Sequence, residues 1–225
     1  MSKILFVFTS ANKTLTGAQT GWYLPEAAHP YYVLAPTHEI DFAAPNGPNP
    51  PVDEGSVKMF TDDESVKFLK DETIIQKLAQ AKKLSEVNVA DYAAIFYVGG
   101  HGPVLDLATD KTNIKLASEF YRAGKITAAV CHGTAALTDA TDSSGKSIFE
   151  GKAFTGFSNA EEEAVNKVKE IPFLLEDVIP KKGGKYEKAS ELWAAHVVVS
   201  GILITGQNPA SAKGVGEAIL KALKA

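Results

Sequence analysis

The sequence predicts an α/β fold in which helices cover both faces of a mainly parallel sheet. The apolar runs at residues 3–9, 92–98 and 126–130 are continuous rather than alternating, which is typical of strands buried on both sides. Segments with helical apolar spacing separate these runs, and this alternation of strands and helices favours parallel pairing. A chain of 225 residues suits one sizeable domain, so we expect a single domain over residues 1–225.

In the first half of the chain, residue patterns assign most elements directly. Glu26 lies early in the first predicted helix, which Pro30 should kink or end because proline lacks the N–H of a helical turn. Dense proline, glycine and asparagine at 45–53 predict a surface loop. In order, we expect a strand at 3–9, a helix beginning within 21–29, a strand at 39–43, the loop at 45–53, two helices between 62 and 84, and a strand at 92–98.

In the second half, small and polar residues mark the ends of elements. Gly124 is a C-terminal stop, Ser158 or Asn159 can cap a helix, and Ser200-Gly201 separates two β runs as in a hairpin. In order, we expect a helix at 113–123, a strand at 126–130, a helix directly after Cys131, a strand at 153–157, a helix at 159–170, a hairpin within 196–206, and a final helix from 208 or 209 to 223.

Composition narrows the class of partner and the compartment. The net charge of −4 comes with interspersed lysine and glutamate, so nucleic acid and anionic membranes are poor candidates and a small ligand is favoured. The first apolar run is too short to span a membrane. Cys131 is the only cysteine, which excludes an internal disulfide and a zinc site built on several cysteines. We therefore expect a reducing compartment, the cytoplasm, with the nucleus left open as a second one.

Cys131 has the surroundings of a nucleophile. It follows the apolar run 126–130 and precedes small residues of a predicted helix start, whose N–H groups would favour thiolate over thiol at the carboxyl edge of the sheet. The alternative is a small buried apolar side chain, since free cysteine is commonly buried. A cysteine nucleophile needs a base, an oxyanion site and often an orienting carboxylate.

The chain offers candidates for each of these groups. His132, adjacent to Cys131, is the candidate base, although neighbouring side chains normally diverge. Gly100 and His132 can supply backbone N–H groups to an oxyanion. The run Glu161-Glu162-Glu163 begins a predicted helix and can direct at most one carboxylate inward.

Glu26 and the other histidines have structural alternatives. Glu26 is a second acid candidate, but a glutamate early in a helix is also favourable through the helix dipole alone. His101, in a glycine-rich loop, could bind substrate or cap the loop. His29, His38 and His196 are isolated and lack metal-ligand spacing, so we expect no metal site.

Four segments of the chain together resemble one protein family. They are Thr20-Gly21-x-x-x-x-Glu26-Ala27-x-His29-Pro30, Gly99-Gly100-His101-Gly102, Ala129-Val130-Cys131-His132-Gly133 and Thr205-Gly206-x-Asn208-Pro209-Ala210-Ser211-Ala212. In order and spacing, the chain resembles the DJ/ThiJ/PfpI superfamily, within it the fungal branch of glutathione-independent glyoxalases and heat-shock-type chaperones. The resemblance implies a flavodoxin-like sandwich, of the class I glutamine amidotransferase-like kind, and a homodimer.

The resemblance also implies roles for individual residues. Cys131 corresponds to the family nucleophile, His132 to its neighbour in the triad, and Glu26 to the carboxylic acid that hydrogen-bonds the sulfur. The third triad member should lie within residues 161–163, and its spacing from the preceding segment favours Glu162. Thr134 stands where proline often follows Cys-His-Gly, so the turn departs here from the commoner pattern.

The implied reaction converts methylglyoxal and related 2-oxoaldehydes to lactate and other 2-hydroxyacids without glutathione, metal or another cofactor, as in a glyoxalase III (D-lactate dehydratase, a lyase). Cys131 would attack the aldehyde, while Gly100, His101 and His132 would contact substrate or oxyanion. The alternatives are a cysteine peptidase or amidase that uses the same triad, a stress chaperone with an exposed apolar patch, and a redox-responsive protein.

Overall fold

The structure, a computed structural model, describes residues 2–224 and is built around a mainly parallel sheet. In chain order, the strands within these residues are β1 (Lys3–Val7), β2 (Glu39–Ala44), β3 (Lys82–Lys83), β4 (Tyr92–Tyr97), β5 (Ile126–Val130), β6 (Ala153–Phe154), β7 (Lys185–Tyr186), β8 (Val197–Ser200) and β9 (Leu203–Gly206). Seven of them form the central sheet in the order β3-β2-β1-β4-β5-β9-β8. The predicted α/β fold class is therefore confirmed.

The order of the strands indicates at which edge of the sheet a ligand is expected to bind. Neighbouring strands pair in parallel from β3 to β9, and only the edge pair β8 and β9 is antiparallel, as the predicted hairpin requires. After β1 the chain first builds β2 on one side and then β4 on the other. Ligands of open α/β sheets bind beyond the carboxyl ends of strands at such a reversal.

Helices cover both faces of this sheet. Those within residues 2–224 are α1 (Leu24–Leu34), α2 (Glu54–Met59), α3 (Asp63–Lys70), α4 (Glu72–Ala79), α5 (Gly102–Leu105), α6 (Lys111–Arg122), α7 (Asn159–Ala164), α8 (Leu175–Val178) and α9 (Ala212–Lys224). Helix α9 packs on α1, β5 and β9, whereas α6 packs on β4 and β5. The 3₁₀ segments are Leu84–Glu86, Val89–Asp91, Cys131–Leu137, Val168–Glu170, Pro180–Lys182 and Pro209–Ser211.

The core explains why the central strands have continuous apolar sequences. Every residue of β5 is buried, and Phe6 at the centre of β1 is fully buried. The Phe6 ring packs on Phe96 of β4 and Phe42 of β2, with ring centroids 4.8 and 6.1 Å apart. Burial on both faces removes the alternation that a half-exposed strand would show.

Several predicted boundaries are wrong. Helix α1 continues through Pro30, which is buried within it, so of the two expected effects, a kink or an end, the end at this proline is wrong. The expected helix at 159–170 ends at Ala164, because Asn166 has φ +56° and leaves the helical region before the 3₁₀ turn Val168–Glu170. The expected strand at 153–157 is only Ala153–Phe154, which pairs with β7 outside the central sheet.

Two further differences concern helices. The helix expected after Cys131 is a 3₁₀ segment, Cys131–Leu137, and α2 was not expected at all. Helix α2 is short and has one buried residue, Ser56, so it lacks the repeated apolar spacing that predicts a helix. Within residues 2–224, each helix is too short or too polar to span a lipid bilayer.

Candidate active site

The fold brings the candidate residues together at one edge of the sheet. Cys131 directly follows β5, Gly100 follows β4, and Glu26 lies in the first turn of α1. These residues line one cavity of about 410 Å³, together with His101 and His132. The glycine-rich loop and Cys131 therefore face the same crevice.

Cys131 has a strained backbone and a buried side chain. Its φ is +56°, in the left-handed region that residues with a Cβ seldom adopt. Its exposed fraction is 4%, and Sγ lies 3.4 Å from Nδ1 of His132. Left-handed backbone at a non-glycine residue costs about 1–3 kcal/mol and is found preferentially at functional sites. Because adjacent side chains normally diverge, this backbone turn is what lets the thiol and the neighbouring imidazole meet.

Glu26 is an acid that the fold buries completely beside the sulfur. Its exposed fraction is 0%, and neither of its carboxyl oxygens has a hydrogen-bond partner of ordinary geometry among the described residues. Burial raises the pKa of Glu26 well above its usual range, although the facing Cys131 thiol and Gly100 N–H favour the charged form. This shift favours the protonated carboxyl group, which can donate a proton or a hydrogen bond.

Gly99 is required by this close approach of acid and thiol. A Cβ at Gly99 would lie 2.1 Å from Oε2 of Glu26 and 2.9 Å from Cβ of Cys131. Gly100 next to it has φ +97°, which glycine adopts at little cost. The glycine pair thus turns the chain out of β4 while leaving space for the two side chains.

The expectation of a resting thiolate is wrong in this environment. Burial raises the pKa of the Cys131 thiol well above its usual range, and an ionised Glu26 would raise it further. The backbone N–H of His132 acts in the opposite direction but does not outweigh these effects. The helix that begins at Cys131 is a seven-residue 3₁₀ segment, and its His132 N–H is the backbone group that favours the thiolate. The sulfur must therefore be deprotonated by a neighbouring base.

His132 is oriented for that task by Glu162. Nε2 of His132 lies 2.5 Å from Oε2 of Glu162, which leaves Nδ1 directed towards Sγ of Cys131. An Nε2–H that donates to the carboxylate makes Nδ1 an acceptor in the neutral imidazole. The structure thus aligns the carboxylate, imidazole and thiol that the family resemblance implies as a triad.

His101 binds the other oxygen of the same carboxylate. Its Nε2 lies 2.7 Å from Oε1 of Glu162, and its ring centroid lies 4.2 Å from that of His132. Burial and the neighbouring His132 lower the pKa of His101 from 6.5 to about 4, so His101 is neutral at pH 7 and donates Nε2–H. Burial acts to raise the pKa of Glu162, but the two histidines lower it overall and keep the carboxylate ionised. This contact could not be read from the sequence, because 61 residues separate the partners.

The expectation that at most one of the three consecutive glutamates points inward is wrong, because Glu161 and Glu162 are both buried. Glu162 is buried against the histidines, whereas Glu163 is exposed. Glu161 is fully buried, and its carboxylate accepts hydrogen bonds from Ser158, Asn208 and the Trp193 N–H. The pattern Ser158-x-x-Glu161 is a capping box, a sequence signal that identifies Glu161 as a structural residue.

The proposed oxyanion donors face the reacting groups. The Gly100 N–H is directed towards the Glu26 carboxyl, and the His132 N–H towards the Cys131 sulfur. Both amides therefore border the space where a carbonyl compound bonded to the sulfur would lie. Their role in stabilising an oxyanion stays a prediction.

Among the described residues, one cluster could hold a metal ion. The ligand atoms of His101, His132 and Glu162 all lie within 4.8 Å of one another. The Nε2 atoms of the two imidazoles already bind the two oxygens of the Glu162 carboxylate directly. In this arrangement the three side chains are hydrogen-bonded to one another and do not point together at a metal position. His29 and His38 lie elsewhere, beside Asp62 and Thr37, and His196 lies near Glu187.

Comparison with known proteins identifies closely similar chains. The model of the DJ-1/PfpI family matches residues 24–222. The chain is 35% identical to the glutathione-independent glyoxalase HSP31 of Saccharomyces cerevisiae, over 99% of this chain and 98% of that protein. It is 30% identical to glyoxalase 3 of Candida albicans, over 100% and 99% of the two chains.

Solved structures show the same fold at full length. The crystal structure of glyoxalase III from Candida albicans is similar with a TM-score of 0.90 and 29% identity, over 98% of this chain and 97% of that chain. The 24 kDa rapid encystment protein of Francisella tularensis is similar with a TM-score of 0.93 and 35% identity, over 99% of both chains.

Proposed function

The chain belongs to the DJ-1/PfpI family, and we propose that it is a glutathione-independent glyoxalase that converts methylglyoxal and related 2-oxoaldehydes to 2-hydroxyacids. One observation carries the proposal: Sγ of Cys131 lines a cavity with the His132 imidazole on one side and the buried Glu26 carboxyl on the other. A nucleophile, a base and an acid are the groups that this reaction needs.

In the first step, Nδ1 of His132 accepts the thiol proton and the sulfur of Cys131 adds to the aldehyde carbon, C1. The C–S bond forms as the carbonyl π bond breaks, and the oxygen takes the proton of the Glu26 carboxyl group to become the hydroxyl of a hemithioacetal, which leaves Glu26 as a carboxylate. In the imidazolium that forms, Nε2 of His132 lies 2.5 Å from Oε2 of the ionised Glu162, and this carboxylate stabilises the positive charge of the ring. The Gly100 and His132 N–H groups border the developing oxyanion.

In the second step, a proton leaves C1 and a proton is added to C2 through an enediol. We assign the transfer between the carbons to the Glu26 carboxylate formed in the first step, because its oxygens have no ordinary hydrogen-bond partner among the described residues. Glu26 accepts the C1 proton and returns it to C2, while the C1 hydroxyl proton moves to the C2 oxygen. C1 is oxidised to a thioester while the ketone carbon C2 is reduced to an alcohol, so the electrons stay within the substrate. Water then hydrolyses the thioester, releases the 2-hydroxyacid and restores the thiol.

The test is lactate formation from methylglyoxal with glutathione absent. Wild type should form lactate, Cys131→Ser and Cys131→Ala should form none, and Glu162→Gln should be strongly impaired. Glu163→Gln is the matched control, since this neighbouring glutamate is exposed. Lactate formation that survives Cys131→Ala would overturn the mechanism, and no lactate from folded wild type would overturn the function.

A cysteine peptidase or amidase is the second candidate, because the aligned Cys131, His132 and Glu162 also fit acyl transfer. Cleavage of peptide or amide substrates by wild type, with methylglyoxal left unchanged, would favour it. The homodimer stays a prediction from the resemblance, and the cytoplasmic location stays a prediction from the single cysteine. The chaperone and redox-responsive roles stay alternatives.

A further inference from the structure

The outer part of the active-site cavity is lined by large apolar side chains. They are Tyr23, Met59, Phe157, Val165 and Trp193. We propose that the cavity selects 2-oxoaldehydes with a bulky apolar substituent, above all an aromatic one, and that Trp193 is a specificity-determining residue. This inference rests on the proposed glyoxalase function and names the substrate class of the same site.

The size of the cavity exceeds what methylglyoxal needs. Its volume is about 410 Å³, within the range of roughly 300–1,000 Å³ that proteins use for drug-sized ligands. Methylglyoxal has only five non-hydrogen atoms, and its substituent is a single methyl group. A site adapted to that substituent alone would leave most of this volume to water.

The aromatic groups lead outwards from the reacting atoms. The Phe157 ring lies 4.5 Å from the His132 ring, and the Trp193 ring lies 5.9 Å from the Phe157 ring, both as centroid distances. A substrate bonded to Cys131 through C1 extends its substituent away from the sulfur, along this wall. A flat ring can pack against such side chains in the tilted and edge-to-face geometries that aromatic pairs prefer.

Trp193 is held at the cavity in an unfavourable conformation. Its φ is +65°, in the left-handed region, and 43% of the residue is exposed. The backbone N–H of Trp193 donates to Oε1 of the buried Glu161, 3.3 Å away, and Asn208 donates to the same oxygen from 2.8 Å. Backbone strain of this kind persists where the surroundings impose it, and it is concentrated at functional sites.

Two of the other outer side chains, Met59 and Val165, are also apolar groups exposed to solvent. Met59 is 70% exposed and Val165 is 38% exposed, and the Tyr23 hydroxyl lies 3.7 Å from the Met59 sulfur. Besides Glu26, the charged residues that line the cavity are Asp53 and Lys167, which have opposite signs. The wall therefore favours an uncharged apolar substituent over a strongly ionic one.

The experiment compares kcat/KM for phenylglyoxal and methylglyoxal in wild type, Trp193→Ala and Leu192→Ala. Leu192 is the matched control, because it is 52% exposed, adjacent in sequence and outside the cavity lining. Mandelate and lactate are measured as products, since Arg122, the only arginine, can also consume phenylglyoxal. Met59→Ala is the second variant, because this exposed side chain can be truncated without opening the core.

We expect wild type to prefer phenylglyoxal, and Trp193→Ala to lower the ratio of the two kcat/KM values about tenfold. Met59→Ala should lower the ratio in the same direction, and Leu192→Ala should leave it unchanged. A ratio that favours methylglyoxal in wild type, or that both cavity variants leave unchanged, overturns the inference while lactate formation still supports the proposed function. Absence of both products overturns the proposed function, and the inference with it.

Discussion

Acidification should destabilise this protein through His101 before it protonates most carboxylates. Burial and His132 lower the pKa of His101 from 6.5 in the unfolded chain to about 4 in the folded protein. As the pH falls below about 6.5, the unfolded chain binds a proton at this position and the folded protein does not. The free energy of unfolding therefore falls with pH, and this contribution continues to be lost until about pH 4.

The structure gives the magnitude of this effect. The interval from 6.5 to about 4 corresponds to roughly 3 kcal/mol, at about 1.4 kcal/mol for each pKa unit. Most of that loss occurs above pH 4.5, where an ordinary glutamate is still largely ionised. Glu162, whose pKa is lowered, contributes below that range, because its stabilisation is lost only as the pH falls through and below 4.5.

The assay is urea unfolding at a series of pH values between 7 and 4.5, with His101→Gln as the comparison. Glutamine keeps an N–H that can donate to Glu162 but does not titrate. Wild type should lose about 2 kcal/mol more than His101→Gln over this range. Parallel pH dependences of the two proteins would refute the assignment of a buried, neutral His101.

Three further predictions concern the groups around the sulfur. Glu26→Gln should keep the fold but lower kcat for lactate formation by about 100-fold or more, and a smaller loss would exclude Glu26 from proton transfer. Gly99→Ala should place a Cβ against Glu26 and Cys131 and destabilise the protein by roughly 1–3 kcal/mol, measured by urea unfolding; unchanged stability would contradict the close contact. Glu161→Ala should cost roughly 2–4 kcal/mol, because it leaves donors such as Asn208 without their acceptor, and an unchanged unfolding midpoint would contradict this.

The sequence was most informative where burial leaves a simple pattern. The strands at Lys3–Val7, Tyr92–Tyr97 and Ile126–Val130 were predicted within a few residues, because burial on both faces requires continuous apolar runs. The cysteine at the end of the last of these strands could be recognised for the same reason. The end of a strand and the residue that follows it both show in the local sequence pattern, so both can be predicted from neighbouring residues.

The protonation of the site could not be predicted in this way. The expected thiolate depended on a local helix start, whereas the pKa of Cys131 is governed by burial and by Glu26, about a hundred residues earlier in the chain. The contact between His101 and Glu162 likewise joins two loops that meet only at the sheet edge. No periodic pattern or motif in the sequence marks Trp193, because its place at the cavity depends on its own left-handed backbone conformation.

Glu162 explains how a buried thiol can ionise at all. Direct ionisation would add a charge to a site that already contains the Glu162 carboxylate, and burial opposes this. Transfer of the proton to His132 instead creates a thiolate and an imidazolium together, so the charge of the site is unchanged and the imidazolium lies beside the carboxylate.

Glu162→Gln removes that carboxylate, so alkylation of Cys131 by iodoacetamide at pH 7 should slow by about tenfold or more, while Glu163→Gln alkylates at the wild-type rate. Because Cys131 is the only cysteine, incorporation of the label reports on this sulfur alone. Equal rates in wild type and Glu162→Gln would mean that the thiol ionises without help from the imidazole and carboxylate, and the triad would have no role in forming the nucleophile.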